Sequence, residues 1–96
     1  MMFSTVAGLP YKEIHKKNVT TSVYGSRVDV INNGETEIIA HGVRILPQGF
    51  YTFQYAEIHV ISDDLEIIFP SDSDNSQGLN NCLVLVYKPS KEVIRL

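Results

Sequence analysis

Cysteine, clustered positive charge and long apolar runs are all scarce in this chain of 96 residues. Its single cysteine, Cys82, cannot form an intrachain disulfide or supply a set of zinc thiolates, so packing must stabilise the fold. Charged residues make up 20% of the chain and the formal net charge is −3. This balance argues against a nucleic-acid partner, because such binding relies on clustered Lys and Arg.

Membrane and export signals are also missing. No stretch approaches the roughly twenty apolar residues that a membrane helix requires. Residues 1–8 lack both the basic start and the sustained apolar run of a signal peptide. We therefore expect a soluble chain that is made in a cytoplasm and does not bind or cross a membrane.

From Val19 onward, apolar and polar residues alternate in short runs, which is the pattern of half-buried β-strands. Asn-Gly is the strongest short hairpin signal, so we expect the strands on either side of Asn33-Gly34 to pair. We also expect pairing across Gly25-Ser26, a tight reversal at Pro47-Gln48-Gly49 and a turn at Asp63-Asp64.

About eight short strands result, and nothing between them is long enough for a crossover helix. The sequence therefore predicts an all-β fold, a small antiparallel β-sandwich or jelly-roll-like domain over residues 19–96. Residues 1–18 differ and are expected to form an N-terminal arm or a short helix opening after Pro10. Residues 70–81 have the composition of a solvated loop, residues 82–87 that of a central strand covered on both faces, and residues 92–96 form a candidate edge strand. The predicted core consists of apolar strand residues, namely Val28, Val30, Ile38, Ile45, Phe53, Ile58, Val60, Ile67, Phe69, Leu83 and Leu85.

The acidic stretch at residues 72–78 alternates oxygen-bearing side chains, as calcium loops do. An EF-hand requires Gly at its sixth position and an acid at its twelfth, whereas counting from Asp72 gives Gln77 and Leu83. The histidines are too scattered for zinc spacing. We expect no metal and no other cofactor.

Catalytic signatures are lacking as well. No strained Gly-x-Ser-x-Gly elbow surrounds any serine. Cys82 opens an apolar strand, where burial favours an inert thiol. We therefore expect no enzymatic activity and assign no catalytic residue.

An aromatic stripe is the best candidate for recognition. Tyr51, Phe53 and Tyr55 share one face of a predicted strand, because side chains alternate along a strand. If the stripe faces inward it is core, and Phe50 and Gln54 face solvent. If it faces outward it is an exposed patch that serves as a subunit or ligand interface.

The order of strands and turns over residues 28–69 resembles small β-domains of tailed-bacteriophage virion proteins. A strand ending in Asn33-Gly34, a strand ending at Gly42, a Leu-Pro-x-Gly turn at residues 46–49 and an apolar strand at 58–62 carry the likeness. Such domains act in capsid decoration and at fibre bases, commonly as trimers that clamp neighbouring subunits.

The resemblance implies a non-enzymatic assembly protein that binds its own copies, with a trimer favoured, and capsid or tail proteins. It implies a location in the virion, or in the host cytoplasm before assembly. The N-terminal segment would suit an arm that reaches a neighbour, so Tyr11 and Lys16 join the aromatic stripe as candidate contacts. The alternative is a monomeric carbohydrate- or protein-recognition module that uses Tyr51 and Tyr55.

Overall fold

The computed structural model describes residues 11–54 and 61–87, which fold as eight β-strands in two antiparallel sheets of four. The all-β prediction is confirmed. The strands are β1 (Tyr11–His15), β2 (Val19–Gly25), β3 (Arg27–Asn32), β4 (Ile38–Ala40), β5 (Val43–Ile45), β6 (Phe50–Gln54), β7 (Ile61–Ile68) and β8 (Cys82–Tyr87).

The strand order is that of a jelly roll. Sheet 1 has the order β1-β8-β3-β6, and sheet 2 has the order β2-β7-β4-β5. Strands from the first half of the described chain therefore pair with their counterparts counted back from its end: β1 with β8, β2 with β7, β3 with β6 and β4 with β5. A long hairpin rolled into two packed sheets produces this arrangement.

The inner faces of both sheets form one core. Alternate residues of β3 and β8 point inward in sheet 1, and alternate residues of β4 and β7 do so in sheet 2. Six predicted core residues are buried, Phe53 packs against them partly buried, and Ile58 and Val60 lie outside the described residues. The buried apolar side chains are Val23, Val28, Val30, Ile38, Ala40, Ile45, Leu65, Ile67, Phe69, Cys82, Val84 and Val86.

Strand β8 is central, as predicted, but its two faces differ. Cys82, Val84 and Val86 are buried, whereas Leu83 and Leu85 lie half-buried on the outer face. The assignment of Leu83 and Leu85 to the core was wrong, because an all-apolar strand gives no alternation from which its inner face could be read.

The hairpin predictions at both early turns were wrong. Strand β2, which ends at Gly25, and strand β3, which begins after Ser26, belong to different sheets. So do β3 and β4, on either side of Asn33-Gly34. The two-residue hairpin lies instead at His41-Gly42 between β4 and β5, where φ is 52° and 81°. Positive φ at both loop residues is the type I′ geometry that matches strand twist.

Close packing, rather than positive φ, accounts for the glycine at position 34. A Cβ there would lie 2.6 Å from the Asn81 nitrogen and 2.6 Å from the Leu79 oxygen. The tight reversal at Pro47-Gln48-Gly49 is confirmed, since the Gly49 N–H donates to the Leu46 oxygen at 2.9 Å. Gln48 adopts the positive φ of 71° in that turn.

Further predictions fail where pairing between strands far apart in the chain determines the local structure. Residues 11–15 form β1 beside β8, so the helix after Pro10 was wrong there and these residues belong to the sandwich rather than to a separate arm. Asp63-Asp64 lies inside the continuous strand β7 and not in a turn. Residues 1–10 and the predicted strand at 92–96 lie outside the described residues.

The loop from Pro70 to Asn81 is more than a solvated connection. Asn80 is 2% exposed, and its side-chain nitrogen donates to the Lys16 oxygen at 3.2 Å and to the Asp72 oxygen at 2.6 Å. The Thr36 hydroxyl donates to Asn80 Oδ1. The loop therefore holds the start of the β1–β2 connection and the β3–β4 crossing together, through a buried amide whose hydrogen bonds are satisfied.

Candidate functional site

The outer face of sheet 1 carries the most distinctive surface in the described chain. Backbone register places Ile14 opposite Leu83, Leu83 opposite Ile31, and Ile31 opposite Phe50. Directly opposed residues of antiparallel strands point to the same side. These four side chains, here called the apolar row, thus cross the full width of the four-stranded sheet.

Both ends of the apolar row are open to solvent. Phe50 on β6 is 69% exposed and Ile14 on β1 is 57% exposed, while Leu83 and Ile31 between them are half-buried. Leu85 lies next to the row on β8. Single exposed apolar residues are ordinary, whereas a contiguous set across a sheet is a candidate interaction surface.

A polar cluster joined by hydrogen bonds lies beside the apolar row. Arg27 donates to both carboxylate oxygens of Asp29 at 3.1 Å, and the Thr52 hydroxyl donates to Asp29 Oδ1 at 2.8 Å. The Arg27 guanidinium also lies 4.9 Å from the centre of the Tyr87 ring. The bond with Asp29 raises the pKa of Arg27. Asp29, 7% exposed, is therefore occupied by its neighbours and has little capacity for an outside cation.

Three exposed lysines border the same face at its β1 edge. Lys12 lies on the outer face opposite Leu85, and Lys16 and Lys17 follow the end of β1. None of the ion pairs found within residues 11–54 and 61–87 involves them. An open surface depression of about 410 Å³ adjoins this lysine border and is lined by Ile14, His15, Lys16, Lys17, Asn18 and Val19.

The outer face of sheet 2 has the opposite character. Asp64 and Glu66 on β7 are exposed, and they lie opposite Ser22 and Thr20 of β2. Tyr24 is 58% exposed at one end of this face. Ile39 and Ile68 are half-buried at the other end, next to Arg44 and Glu37, which approach to 3.6 Å. Carboxylates and hydroxyls therefore occupy the outer face of β7 and β2 between these two ends.

A polar cluster closes the edge of the sandwich between β1 and β2. Glu13 accepts hydrogen bonds from the Tyr11 hydroxyl at 2.7 Å and the Thr21 hydroxyl at 3.0 Å, and His15 Nε2 lies 2.7 Å from Glu13 Oε1. Burial alone would raise the pKa of Glu13, but the bonds from Tyr11, His15 and Thr21 outweigh it and leave that pKa lowered. The hydrogen bond from the Tyr11 hydroxyl to Glu13 raises the pKa of Tyr11.

The chemistry of this cluster is that of a structural link. The imidazole of His15 is oriented by a carboxylate, as a general base would be. The Thr21 hydroxyl, however, donates to Glu13 and not to His15. The nucleophile-to-base hydrogen bond of acyl-transfer sites is therefore not formed within this cluster.

The structure divides the predicted contact residues between opposite edges of sheet 1. Tyr51 and Phe53 lie on the inner side of β6, opposite Val30 and Val28, with ring centres 4.8 Å apart. Phe53 packs on the core and against His41, whereas Tyr51 is 42% exposed. Tyr11 and Lys16 lie at the β1 side. Tyr55 lies outside the described residues.

The apolar row itself was not foreseen. Phe50 was expected to face solvent if the aromatic stripe faced inward, and it does. The other members come from three separate strands, so only their register brings them together. Two features of the sequence could have indicated the apolar row. One is that both alternating sets of residues in β8 are apolar, and the other is the single apolar residue Ile14 between Lys12 and Lys16.

Asp72 and Cys82 are the remaining groups singled out by the sequence whose surroundings the structure describes. Asp72 accepts from the Gln77 backbone N–H at 2.8 Å and the Ser76 hydroxyl at 3.0 Å, and the bond from Gln77 in particular lowers the pKa of Asp72. Burial raises the pKa of the Cys82 thiol to about 12. In the parts of the chain that the structure covers, no group of three or more His, Cys, Asp and Glu is placed to hold a metal ion.

Residues 11–54 and 61–87 contain no helix with the length and apolarity needed to cross a membrane. Comparison with known proteins yields no match, whether to a family model, to a curated protein or to a solved structure.

Proposed function

We propose that this protein is a non-enzymatic assembly module, which works by binding its own copies and other protein surfaces through the outer face of sheet 1. The apolar row across that face is the observation that carries the proposal. It joins Ile14, Leu83, Ile31 and Phe50 into one strip with exposed ends.

The core supports this interpretation by contrast. The inner faces of the two sheets already form a continuous apolar cluster, so the fold does not need a second apolar surface. An antiparallel sheet with one solvated face ordinarily carries polar residues there. Burying the apolar row against another protein removes from water a surface that otherwise favours aggregation.

The jelly-roll topology is compatible with the wider role that the sequence resemblance implies. Viral capsid proteins and lectins both use this architecture. A fold alone does not choose between such functions, so the choice rests on the surface. We extend the proposal to a phage-like virion, in which the module decorates a capsid or attaches a fibre, with a trimer as the stoichiometry that the resemblance implies.

The test is the solution mass by light scattering over a concentration series from about 5 µM to 1 mM, the range in which weak contacts populate. Ile14→Thr and Phe50→Thr are combined in one variant, because threonine keeps a strand-forming side chain. Leu46→Thr is the matched control, since Leu46 is 60% exposed in a turn and lies on neither sheet face.

We expect the wild-type mass to rise with concentration, the double variant to associate at least tenfold more weakly, and the control to match wild type. Equal association of all three proteins would contradict the proposal. A wild-type protein that stays monomeric throughout would also contradict binding to its own copies. Saturable glycan binding by such a monomer would support the recognition-module alternative instead.

A further inference from the structure

Strand β1 is the least anchored of the eight strands. Each of the other seven contributes at least one side chain to the hydrophobic core or to the residues packed against it. Strand β1, all five residues of which the structure describes, contributes none. Its one aliphatic side chain, Ile14, points outward and is 57% exposed. An element with so few buried apolar contacts opens at a lower free-energy cost than the core does.

Backbone pairing supplies most of what holds β1 in place. The strand is antiparallel to β8 and pairs with it along its whole length. In the part of the chain that the structure describes, one hydrogen bond joins a β1 side chain to another strand, from the Thr21 hydroxyl to Glu13 at 3.0 Å. A second copy of β1 has the same sequence and can therefore make the same contacts.

The connection from β1 to β2 is suited to act as a hinge. Lys16 and Lys17 are exposed, and the chain is fixed again at Asn18, whose Oδ1 accepts from the Phe69 N–H at 2.7 Å. The bond from Asn80 to the Lys16 oxygen, at 3.2 Å, breaks or re-forms when β1 moves. Everything before Asn18 can thus leave while β2 stays in sheet 2. Short connections favour exchange between copies, because they restrict how a strand folds back on its own chain.

We propose that β1 is exchanged between copies, so that β1 of one chain pairs with β8 of the next. Exchange is complete when every copy donates one β1 and receives one, and a closed ring of three copies satisfies this condition. The inference rests on the proposed function and specifies how its three copies are joined.

The edge of β8 that β1 vacates determines which strand can fill it. Strand β8 contains no charged residue, and an uncovered edge of this kind pairs readily with other chains. A second β1 fits because its alternation places Ile14 beside Leu83 on the outer face and Glu13 within reach of Thr21 on the other side. Each apolar row is then completed by Ile14 of a neighbouring copy.

The balance between the closed and exchanged forms depends on protein concentration. Both forms contain the same β1 contacts, so these contacts cancel in the difference between them. Association costs translational and rotational freedom, whereas burial of the apolar row between joined copies offsets that cost. We therefore expect exchange at high protein concentration and the closed monomer on dilution.

Cys82 can report which chain supplies the paired β1. It lies opposite His15 and is 0% exposed, so only position 15 of the strand paired with it brings a thiol within reach. Directly opposed residues of antiparallel strands have Cα atoms about 4.5–5.5 Å apart, a separation that disulfides bridge. In His15→Cys the disulfide is intrachain if β1 stays on its own chain and interchain if β1 is exchanged.

The variant is assembled at about 1 mM, where weak contacts populate, then oxidised and analysed by denaturing electrophoresis without reductant. We expect the product to shift from the mass of one chain to the masses of two and three chains. Peptide mass spectrometry identifies the bond between positions 15 and 82. Lys12→Cys is the matched control and should form no bond to Cys82, because Lys12 lies on the same strand opposite Leu85. Thermal melting verifies that both variants fold.

A mixture of two proteins gives an independent measurement. One carries His15→Cys with Cys82→Ser and the other is wild type, so each alone lacks one of the two thiols. After joint assembly and oxidation we expect a bond between positions 15 and 82 that joins the two different chains. The buried Cys82 of a closed monomer would be inaccessible to that thiol.

Lengthening the hinge should reverse the exchange. Inserting Gly-Ser-Gly-Ser between Lys16 and Lys17 in the His15→Cys protein lets β1 return to its own β8, because a longer flexible connection permits the closed form. We expect the disulfide-linked product to shift back to the mass of one chain. A role of β1 that is only structural predicts no such shift.

Two results would overturn the inference and leave the proposed function intact. One is disulfides confined to single chains in a sample that light scattering shows to be oligomeric. The other is an oligomeric sample of folded His15→Cys protein whose thiols remain free after oxidation, since no β1 would then lie beside β8. A wild-type protein that stays monomeric at every concentration would overturn the proposed function together with the inference.

Discussion

The two sheets share one core and differ in how apolar groups are arranged on their outer faces. Sheet 1 turns Ile14, Leu83, Ile31 and Phe50 outward in one row, whereas sheet 2 turns out Asp64, Glu66 and the hydroxyls of β2 between Tyr24 at one end and Ile39 and Ile68 at the other. Among the residues whose burial the structure describes, the inner positions of the interior strands are apolar apart from Asn32. Folding therefore constrains the inner positions in both sheets, and the outer positions are where function can be encoded.

This comparison separates stability from recognition within single strands. In β8, successive residues alternate between full burial and half-burial. The buried set contributes packing energy to folding, and under the proposed function the half-buried set contributes to the contact with another molecule. We consequently expect that substitutions at neighbouring positions of β8 can change stability without association, or association without stability.

The largest effect should come from the connection that both sheets share. Gly34 lies in the crossing from β3 in sheet 1 to β4 in sheet 2, and an added Cβ would meet two backbone atoms at 2.6 Å. We expect Gly34→Ala to reduce the free energy of unfolding by about 3 kcal/mol, because backbone cannot move aside as a side-chain end can. Urea denaturation at low protein concentration measures the loss.

Gly78→Ala is the matched control for that change. Gly78 has φ of 71°, but nothing lies within 4 Å of an added Cβ. Only backbone strain should appear there, about 1 kcal/mol. A loss at Gly34 no larger than that at Gly78 would refute the view that close packing, and not turn geometry, accounts for Gly34.

Neighbouring substitutions in β8 sharpen the contrast between the faces. Val84 is fully buried, so Val84→Ala should cost about 2 kcal/mol of stability through the cavity it leaves. Leu83→Ala removes more atoms but from the outer face, and we expect it to cost about 1 kcal/mol or less in unfolding experiments.

Association should respond in the reverse order. Leu83→Ala should weaken concentration-dependent assembly, while Val84→Ala should leave it close to wild type under conditions where both proteins are folded. The comparison of the faces breaks down if Leu83→Ala destabilises the fold more than Val84→Ala does, or if it leaves assembly unaltered.

The smallest effect concerns the edge where Glu13 of sheet 1 accepts a bond from Thr21 of sheet 2. The pKa of Glu13 is lowered from its ordinary value of 4.5 in the folded protein, so the unfolded chain binds its proton first as pH falls. The stabilisation is present above about pH 4.5 and is lost as pH falls through the folded pKa. Glu13→Gln should therefore cost roughly 1 kcal/mol at neutral pH.

A pH series of thermal melts tests this link. The difference in stability between wild type and Glu13→Gln should shrink below pH 4.5, because the side chain at position 13 titrates only in the wild type. A difference that stays constant from pH 7 to pH 3, a range spanning the titration of ordinary carboxyls, would argue that the ionised form of Glu13 contributes nothing specific.

Local sequence patterns predicted the fold class because each strand is short, alternating and bounded by turn residues. The same patterns failed where two turns compete. Asn33-Gly34 has the stronger hairpin composition, yet the hairpin forms at His41-Gly42. The flanking strands decide this, since β4 and β5 bury Ile38, Ala40 and Ile45 when paired and contribute to the same core.

The candidate site was less predictable than the fold. Tyr51 and Phe53 were identified as neighbours from a period of two within one strand. The apolar row draws on four strands whose order in the sheet does not follow the chain. Periodicity assigns a residue to a face of its own strand, but it carries no information on which strand lies beside it.

The sequence by itself determined that this chain is an all-β domain without an intrachain disulfide, because alternation, turn composition and cysteine number can be read directly from it. Only the tertiary structure decided the jelly-roll pairing, the outward phase of Leu83 and Leu85, and the opposite chemistry of the two outer faces. The physical reason is that strand pairing is selected by burial summed over the whole core, so residues far apart in the chain become neighbours only when that core forms.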